Sequence, residues 1–348
     1  MGKKITFDDT LSDMGIGKMV DIPVRGWLST GATSLDYAIS GKLWGGGFPQ
    51  GRIVELYGDP STGKTLLLTQ AIAKAQQLGW YVFLDDSENA LDKFFAENVG
   101  ANPKELFYAN SESVEGHFKR VSYFIKKIRE KDTETPILIC LDSLAMLSTS
   151  HERGVAEHVK NVDASDNPIP TVNEKRDMTK AQLVRAGLRV LATRFMKENV
   201  LYLCSNHTTA QIGVMYGPKK TTPGGGGIKF AASVRLDLAK GKTYKNNEGP
   251  TGHEVHVSVT KNKVAPPFKR VKFNMFFDRG VEPHSGFLEV LQGRGIATEA
   301  GGWWRIPDVY ADKKFRSAEL EALTPEFIEK VLTLDKPISE SVVSEEPE

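Results

Sequence analysis

The sequence is poor in cysteine: among 348 residues only Cys140 and Cys204 occur, each inside an apolar run. That argues against a disulfide framework or a thiolate metal site and for two buried free thiols in a reducing compartment. Long hydrophobic runs are missing as well. No stretch approaches the ~20 apolar residues of a membrane span. The N-terminal MGKKITFDDTLSDMG lacks the apolar core of a signal peptide. The expectation is a cytoplasmic protein with no membrane partner. Charge of one sign is also scarce, with 45 Lys plus Arg against 44 Asp plus Glu and a net +1. A uniformly basic nucleic-acid coat is thereby excluded, but a local basic groove is not. From Lys175 to Arg235 there are 11 Lys plus Arg against 2 Asp plus Glu, whereas the last ten residues carry four Glu and no cation.

What is present is an ordinary globular composition, 40% hydrophobic and 26% charged. Short β-rich runs alternate with helical stretches. Arg52–Tyr57, Trp80–Asp85, Ile137–Asp142 and Val200–Ser205 read as strands, the last two apolar enough for central parallel strands buried on both faces. Lys64–Leu78, Ser113–Lys131 and Asp177–Glu198 read as helices, with Gly79 placed as a C-terminal cap. This alternation predicts an α/β fold with a parallel sheet covered on both faces. Beyond Ala231 the runs Ala232–Leu238, His253–Thr260 and Phe268–Phe277 are joined by short polar turns, which predicts an antiparallel extension. After Gly280 a small α+β module is expected, ending in a helix over Pro325–Leu334. Two polar segments without periodicity, Ser148–Glu174 and Thr208–Gly227, interrupt the α/β pattern and call for a functional explanation.

The strongest chemical signal is Gly58-Asp59-Pro60-Ser61-Thr62-Gly63-Lys64-Thr65, which fits G-x-x-x-x-G-K-[ST] between an expected strand and an expected helix. Such glycines let backbone N–H groups curl around an anion, and the helix N-terminus adds partial positive charge. Lys64 is expected to reach the β- and γ-phosphates of ATP and the Thr65 hydroxyl to hold Mg²⁺. Asp142, closing an apolar strand, is placed as the second metal-side carboxylate. Hydrolysis needs a group to orient water. Glu88, Asp85 and Asp86 compete for that role on position alone.

Beyond the phosphate loop, several segments carry a more specific likeness: STGATSLDYAISG from Ser29, GRIVELYGDPSTGKT from Gly51, DSENALD from Asp86 and ICLDSLAML from Ile139. IGVMYG from Ile212, GGGIKFAASVRLDL from Gly225 and TKNKVAPPFK from Thr260 complete the set. From Leu28 to about Phe277 the chain resembles the RecA family of DNA recombinases, close to the bacterial type. The resemblance implies a RecA-like P-loop ATPase core. It further implies helical filaments on single-stranded DNA, pairing with double-stranded DNA, strand exchange and DNA-stimulated ATP hydrolysis. Single-strand-binding or mediator proteins would be partners.

Carried over by position, the resemblance assigns catalysis to Glu88 over its aspartate neighbours. It gives Phe95 and Asp92 adenine contacts, Asp142 and Ser143 the Walker B place, and His207 the γ-phosphate sensor. A histidine departs from the glutamine usual there, and its charge change near neutral pH would make sensing pH-dependent. Lys261 and Lys263, two apart on an expected strand, would face the same way and reach the neighbouring protomer's ATP. The two irregular segments match DNA-binding loops, with Ile212, Met215, Tyr216, Gly224 and Gly225 in the second. Arg185 and Arg189, four apart on the helix between them, would add charge along one face.

The implied organisation is a protomer-contact segment over 1–28, the ATPase core over 29–279, a small C-terminal domain over 280–336 and a disordered acidic tail over 337–348. IPVRGW from Ile22 is a candidate contact strand. The short N-terminal segment, the Gly45–Gly47 run and drift after Gly280 depart from the bacterial pattern and suggest a bacteriophage-encoded version, with a cellular bacterial origin as the alternative. A RecA-fold ring motor would share the phosphate loop and Asp142, but not the Lys261–Lys263 pair beside the glycine-rich loop. An inert DNA coat would not keep Lys64, Thr65, Glu88 and Asp142 together.

Overall fold

The computed structural model describes residues 24–152, 179–210, 220–223, 225–310, 314–316 and 330–331. The main sheet is built from β1 (Ile53–Gly58), β2 (Tyr81–Asp86), β3 (Phe107–Ala109), β4 (Ile137–Asp142) and β5 (Val200–His207). It continues with β6 (Val234–Asn246), β7 (Gly249–Asn262), β8 (Arg270–Phe276) and β9 (Gly280–Val281). These nine strands run in the order β9-β8-β7-β6-β1-β5-β4-β2-β3. Every neighbouring pair from β6 to β3 is parallel, and β6 to β9 pair antiparallel. The expected parallel sheet with an antiparallel extension is therefore observed. The extension is longer than the sequence pattern indicated, because the β6–β7 hairpin runs on through a distal half that is polar on both faces and offers no alternation to read.

Strand side chains alternate between two cores. Leu138 and Cys140 of β4 face one cluster with Leu67 and Ile72 of α2 (Lys64–Gln77) and Leu35 and Ile39 of α1 (Thr33–Ser40). Ile137, Ile139 and Leu141 face the other, shared with Val121 and Ile125 of α4 (Val114–Arg129) and Leu188 and Phe195 of α5 (Thr179–Lys197). Helix α4 starts where Ser113 accepts the Gly116 N–H at 3.1 Å. Cys140 and Cys204 are free and buried, as expected. Burial pushes both thiols up, which keeps them inert packing groups. A third cluster gathers Leu43, Phe287, Leu291, Trp304 and Ile306 around α7 (Phe287–Gly293) and a hairpin of Thr298–Ala300 with Trp303–Arg305. Within IPVRGW, Trp27 and the following Leu28 pair with Pro49 and Phe48 of the same chain, so that end of the segment is an internal strand. The expected terminal helix over Pro325–Leu334 lies, apart from Lys330 and Val331, outside the described residues, as does the acidic tail.

Under the parallel strands, a polar chain crosses the second core. His117 Nδ1 lies 2.7 Å from Asp85 Oδ2 and Nε2 lies 2.9 Å from the Tyr202 hydroxyl. The Ser111 N–H and hydroxyl also donate to Asp85, at 2.7 and 2.5 Å. Burial alone would raise the Asp85 pKa, but the bonds and charge from His117 and the bonds from Ser111 hold it below the usual carboxylate range. Asp85 is thus fully committed inside the protein. His117→Ala leaves the buried Tyr202 hydroxyl without its partner and takes one of three bonds from Asp85, and is expected to cost about 3 kcal/mol. A thermal or denaturant unfolding series checks this; a loss below about 1 kcal/mol would show the chain to be dispensable.

Candidate nucleotide-binding site and associated loops

The glycine-rich turn leaves β1 and enters α2 directly, as expected. Gly63 has φ +93°, and a β-carbon there would press on Met275 Sδ at 2.9 Å. At Gly58 a β-carbon would meet the Leu238 carbonyl at 2.2 Å, so the close approach of β6 requires glycine. The turn opens on a cleft of about 400 Å³ lined by Pro60, Ser61, Gly63, Lys64 and Thr65, together with Glu88, Asp142 and His207 from three strand ends. Asp59 and Thr62 shape the turn: Thr62 donates to the Asp59 carbonyl at 3.0 Å, and the Thr208 hydroxyl donates to the Asp59 side chain.

Lys64 Nζ donates to the carbonyls of Gly58 and Asp59 at 3.1 and 2.9 Å, which places its ammonium inside the curve of the turn. Burial lowers its pKa, against the opposing pull of Asp142, Glu88 and Asp59. The Thr65 hydroxyl donates to Asp142 at 2.7 Å, and the Ser205 hydroxyl donates to the other carboxylate oxygen. Burial raises the Asp142 pKa, reinforced by the nearby Glu88 and Asp86 charges and opposed by its two hydroxyl donors. Two hard oxygen ligands facing each other suit Mg²⁺, which keeps several waters and takes phosphate oxygens for the rest.

Glu88 follows β2, and its N–H donates to the Asp142 carbonyl at 3.1 Å, which fixes it across the cleft from Lys64. Its carboxylate accepts from the Ser143 hydroxyl and lies 2.8 Å from His207 Nε2. Ser143 therefore orients Glu88 from beside Asp142. Asp86, the other competitor, accepts the N–H groups of Ala90 and Leu91 at 3.1 Å each and serves as a turn anchor. Of the three acids, Glu88 lines the cleft, while Asp85 and Asp86 accept bonds from their own chain. Asp92 caps α3 (Lys93–Asn98) by accepting the Phe95 N–H at 2.8 Å, and Phe95 is 5% exposed in the first core. Neither lines the cleft around the turn. Lys240, His253 and Phe277 do line it, and sequence reasoning missed all three. They come from the antiparallel strands, whose register against β1 no local pattern reveals.

Lys261 sits opposite Arg235 just past an irregularity in the register, and Lys263 follows the last residue of β7, where its N–H still donates to the Ser233 carbonyl at 2.9 Å. Lys261 Nζ donates to the carbonyls of Lys229 and Phe230 at 2.6 and 3.0 Å, at the end of α6 (Gly226–Ala231). Its pKa is pushed down to about 8 by burial and by the Lys263 and Arg235 charges. Neither lysine lines its own chain's cleft.

The second loop is more ordered at its base than its composition suggests. Thr209 and Ala210 pair with Thr221 and Lys220, and Gly226 and Gly227 are helical, not part of a loose glycine run. A β-carbon on Gly227 would meet the Arg185 backbone at 2.9 Å, so α6 lies directly on α5. Asn206, beside His207, donates to Glu55 and to the Pro223 carbonyl, both at 3.0 Å. Glu55 is wholly buried and also binds Arg235 Nε at 2.5 Å. Arg185 and Arg189 are exposed on α5, and Gly225 precedes α6 with φ +62°. Ile212, Met215, Tyr216 and Gly224 lie outside the described residues. In the first loop, Thr149 and Glu152 exchange bonds of 2.7 and 3.0 Å, a capping box that opens a helical turn at Ser150. The T-S-H-E spelling signals this, against the expectation of an irregular segment from Ser148; residues 153–178 lie outside the description.

Comparison with known proteins agrees with this architecture. The family described as RecA N-terminal domain matches residues 8–282. Protein RecA of Chloroherpeton thalassium is 35% identical over 291 residues, 84% of this chain and 74% of that protein. Protein RecA of Porphyromonas gingivalis is 30% identical over 326 residues, 92% of this chain and 88% of that protein. Protein RecA of Leptospira meyeri is 33% identical over 283 residues, 80% of this chain and 65% of that protein. With a phosphate loop, a buried second carboxylate and a parallel sheet carrying a long antiparallel hairpin, the chain belongs to the RecA family of recombinases, which are DNA-dependent ATPases.

Proposed function

We propose that the cleft binds ATP with Mg²⁺ and hydrolyses it when protomers assemble on single-stranded DNA, so that the filament can pair with duplex DNA and exchange strands. The observation that carries this reading is the convergence of Lys64, the Thr65–Asp142 pair and the Glu88–His207 pair in one cleft at the C-terminal ends of parallel strands. The turn's N–H groups and Lys64 bind the phosphate chain. Thr65 and Asp142 would hold Mg²⁺, which would supply positive charge against the phosphate oxygens. Glu88, steered by Ser143 and His207, orients the attacking water and takes its proton. His207 then exchanges its bond to Glu88 for one to the γ-phosphate. Phe277, 42% exposed on the cleft's rim, joins Phe95 and Asp92 as a candidate for the base.

Lys261 and Lys263 act on the neighbouring protomer's phosphates, because they lie away from their own cleft. Arg185, Arg189, Gly225 and the loop residues Ile212, Met215, Tyr216 and Gly224 contact DNA. Of residues 1–28, the part before Trp27 contacts the next protomer, and 280–336 act as a small domain. The setting is the bacterial cytoplasm, with mediator or single-strand-binding proteins as partners and a phage genome as a source.

The test is ATP hydrolysis with and without single-stranded DNA, read beside electron micrographs. Helical filaments with DNA-stimulated hydrolysis are expected; closed rings that translocate directionally would overturn the reading. Lys263→Ala is expected to suppress DNA-stimulated turnover at least tenfold while ATP binding by the free chain stays within about twofold. If that binding collapses too, the lysine acts in its own cleft.

A further inference from the structure

His253 is 2% exposed, yet it lines the phosphate-loop cleft, and neither ring nitrogen has a hydrogen-bond partner. It lies on β7, paired with Thr243 of β6 and Met275 of β8, so both neighbouring strands fix its place. On the loop side, a β-carbon at Gly63 would stand 3.6 Å from His253 Nε2. On the rim side, its ring centroid is 5.8 Å from that of Phe277. A buried imidazole without partners is costly. Burial first, and then the Lys240 ammonium, disfavour its charged form, while the Thr62 carbonyl favours that form without closing a bond. The neutral ring offers one donor and one acceptor.

We propose that His253 hydrogen-bonds the bound nucleotide on the side away from the γ-phosphate, between the phosphate loop and the base, and so sets affinity for ATP and ADP alike. This rests on the nucleotide-site reading above. Position decides the end of the nucleotide: Glu88 and His207 mark the water-attack end, whereas His253 lies beside Gly63 and Phe277. A purely structural histidine would use its nitrogens within the protein, as His117 does. Here the ring lines the cleft, where a bound nucleotide would supply the missing partners.

The experiment uses the full chain and measures binding of ATP and of ADP, with unfolding temperature recorded in parallel. His253→Phe keeps a ring against Phe277 but removes both polar atoms. It is expected to weaken ATP and ADP by about tenfold each, the worth of one hydrogen bond in a dry site. The unfolding temperature of the free variant should be equal to or above wild type, because an unpaired polar group has left the interior. His253→Asn, which restores a donor, should recover most of the affinity. Unchanged affinity in His253→Phe, a loss confined to ATP, or a His253→Asn variant as weak as His253→Phe would each overturn the assignment. Failure of the wild-type chain to bind either nucleotide would instead overturn the site reading on which it stands.

Discussion

Lys64→Ala is expected to lower ATP affinity at least ~100-fold and to remove hydrolysis with or without DNA, because a phosphate chain in this cleft loses its charge-assisted donor at the centre of the turn. The turn itself should survive. Gly58 and Gly63 lie too close to Leu238 and Met275 to carry a side chain, a fit that does not involve the lysine, and Thr62 donates to the Asp59 carbonyl independently of it. Unfolding temperature should therefore move little, since the variant also removes a largely buried amine held by two carbonyls. Calorimetric titration with ATP beside an unfolding curve separates the two effects. Retained binding at near wild-type affinity would remove Lys64 from the phosphate site.

Glu88→Gln is the second large effect, and it falls on turnover alone. Glutamine keeps the shape and can still meet Ser143 and His207, but it accepts no proton from water. DNA-stimulated hydrolysis should drop ~100-fold to 10,000-fold, the usual worth of a positioned base. ATP binding should stay within about threefold, and filaments formed with ATP should persist longer. Measurement of steady-state phosphate release beside filament lifetime decides it. Equal loss of binding and turnover would make Glu88 a structural anchor; unchanged turnover would return the role to another group.

The parallel half of the fold was legible because its signals are local: apolar runs such as Ile137–Asp142, the phosphate-loop spelling and the face of Val121 and Ile125. Residues tied to that frame, Lys64, Thr65, Asp142 and Glu88, came with it. Lys240, His253 and Phe277 did not, because they reach the cleft only through the pairing of β6, β7 and β8 with one another and of β6 with β1. Short elements also escaped. Helix α3 begins at the Asp92 cap after a turn held by Asp86, and α6 begins inside a glycine run that propensity counts against. There the packing on Arg185 outweighs the local preference, because only glycine permits the approach. Lys263 lies one residue past β7, and the register irregularity between Val259 and Lys261 falls before both lysines, so it leaves their two-residue spacing intact.

One amide carries a thermodynamic consequence. Asn206 spends its NH₂ on Glu55, beneath the sheet's central strand, and on the Pro223 carbonyl, in the returning arm of the second loop, while its neighbour His207 meets Glu88. A ligand that displaces the loop therefore works against the same residue pair that a γ-phosphate would engage. Linkage between two such ligands is reciprocal: by whatever factor nucleotide tightens the grip on a DNA strand, that strand tightens the grip on nucleotide. The polymer's hold on its track and on its fuel are, in this design, one quantity read at two places.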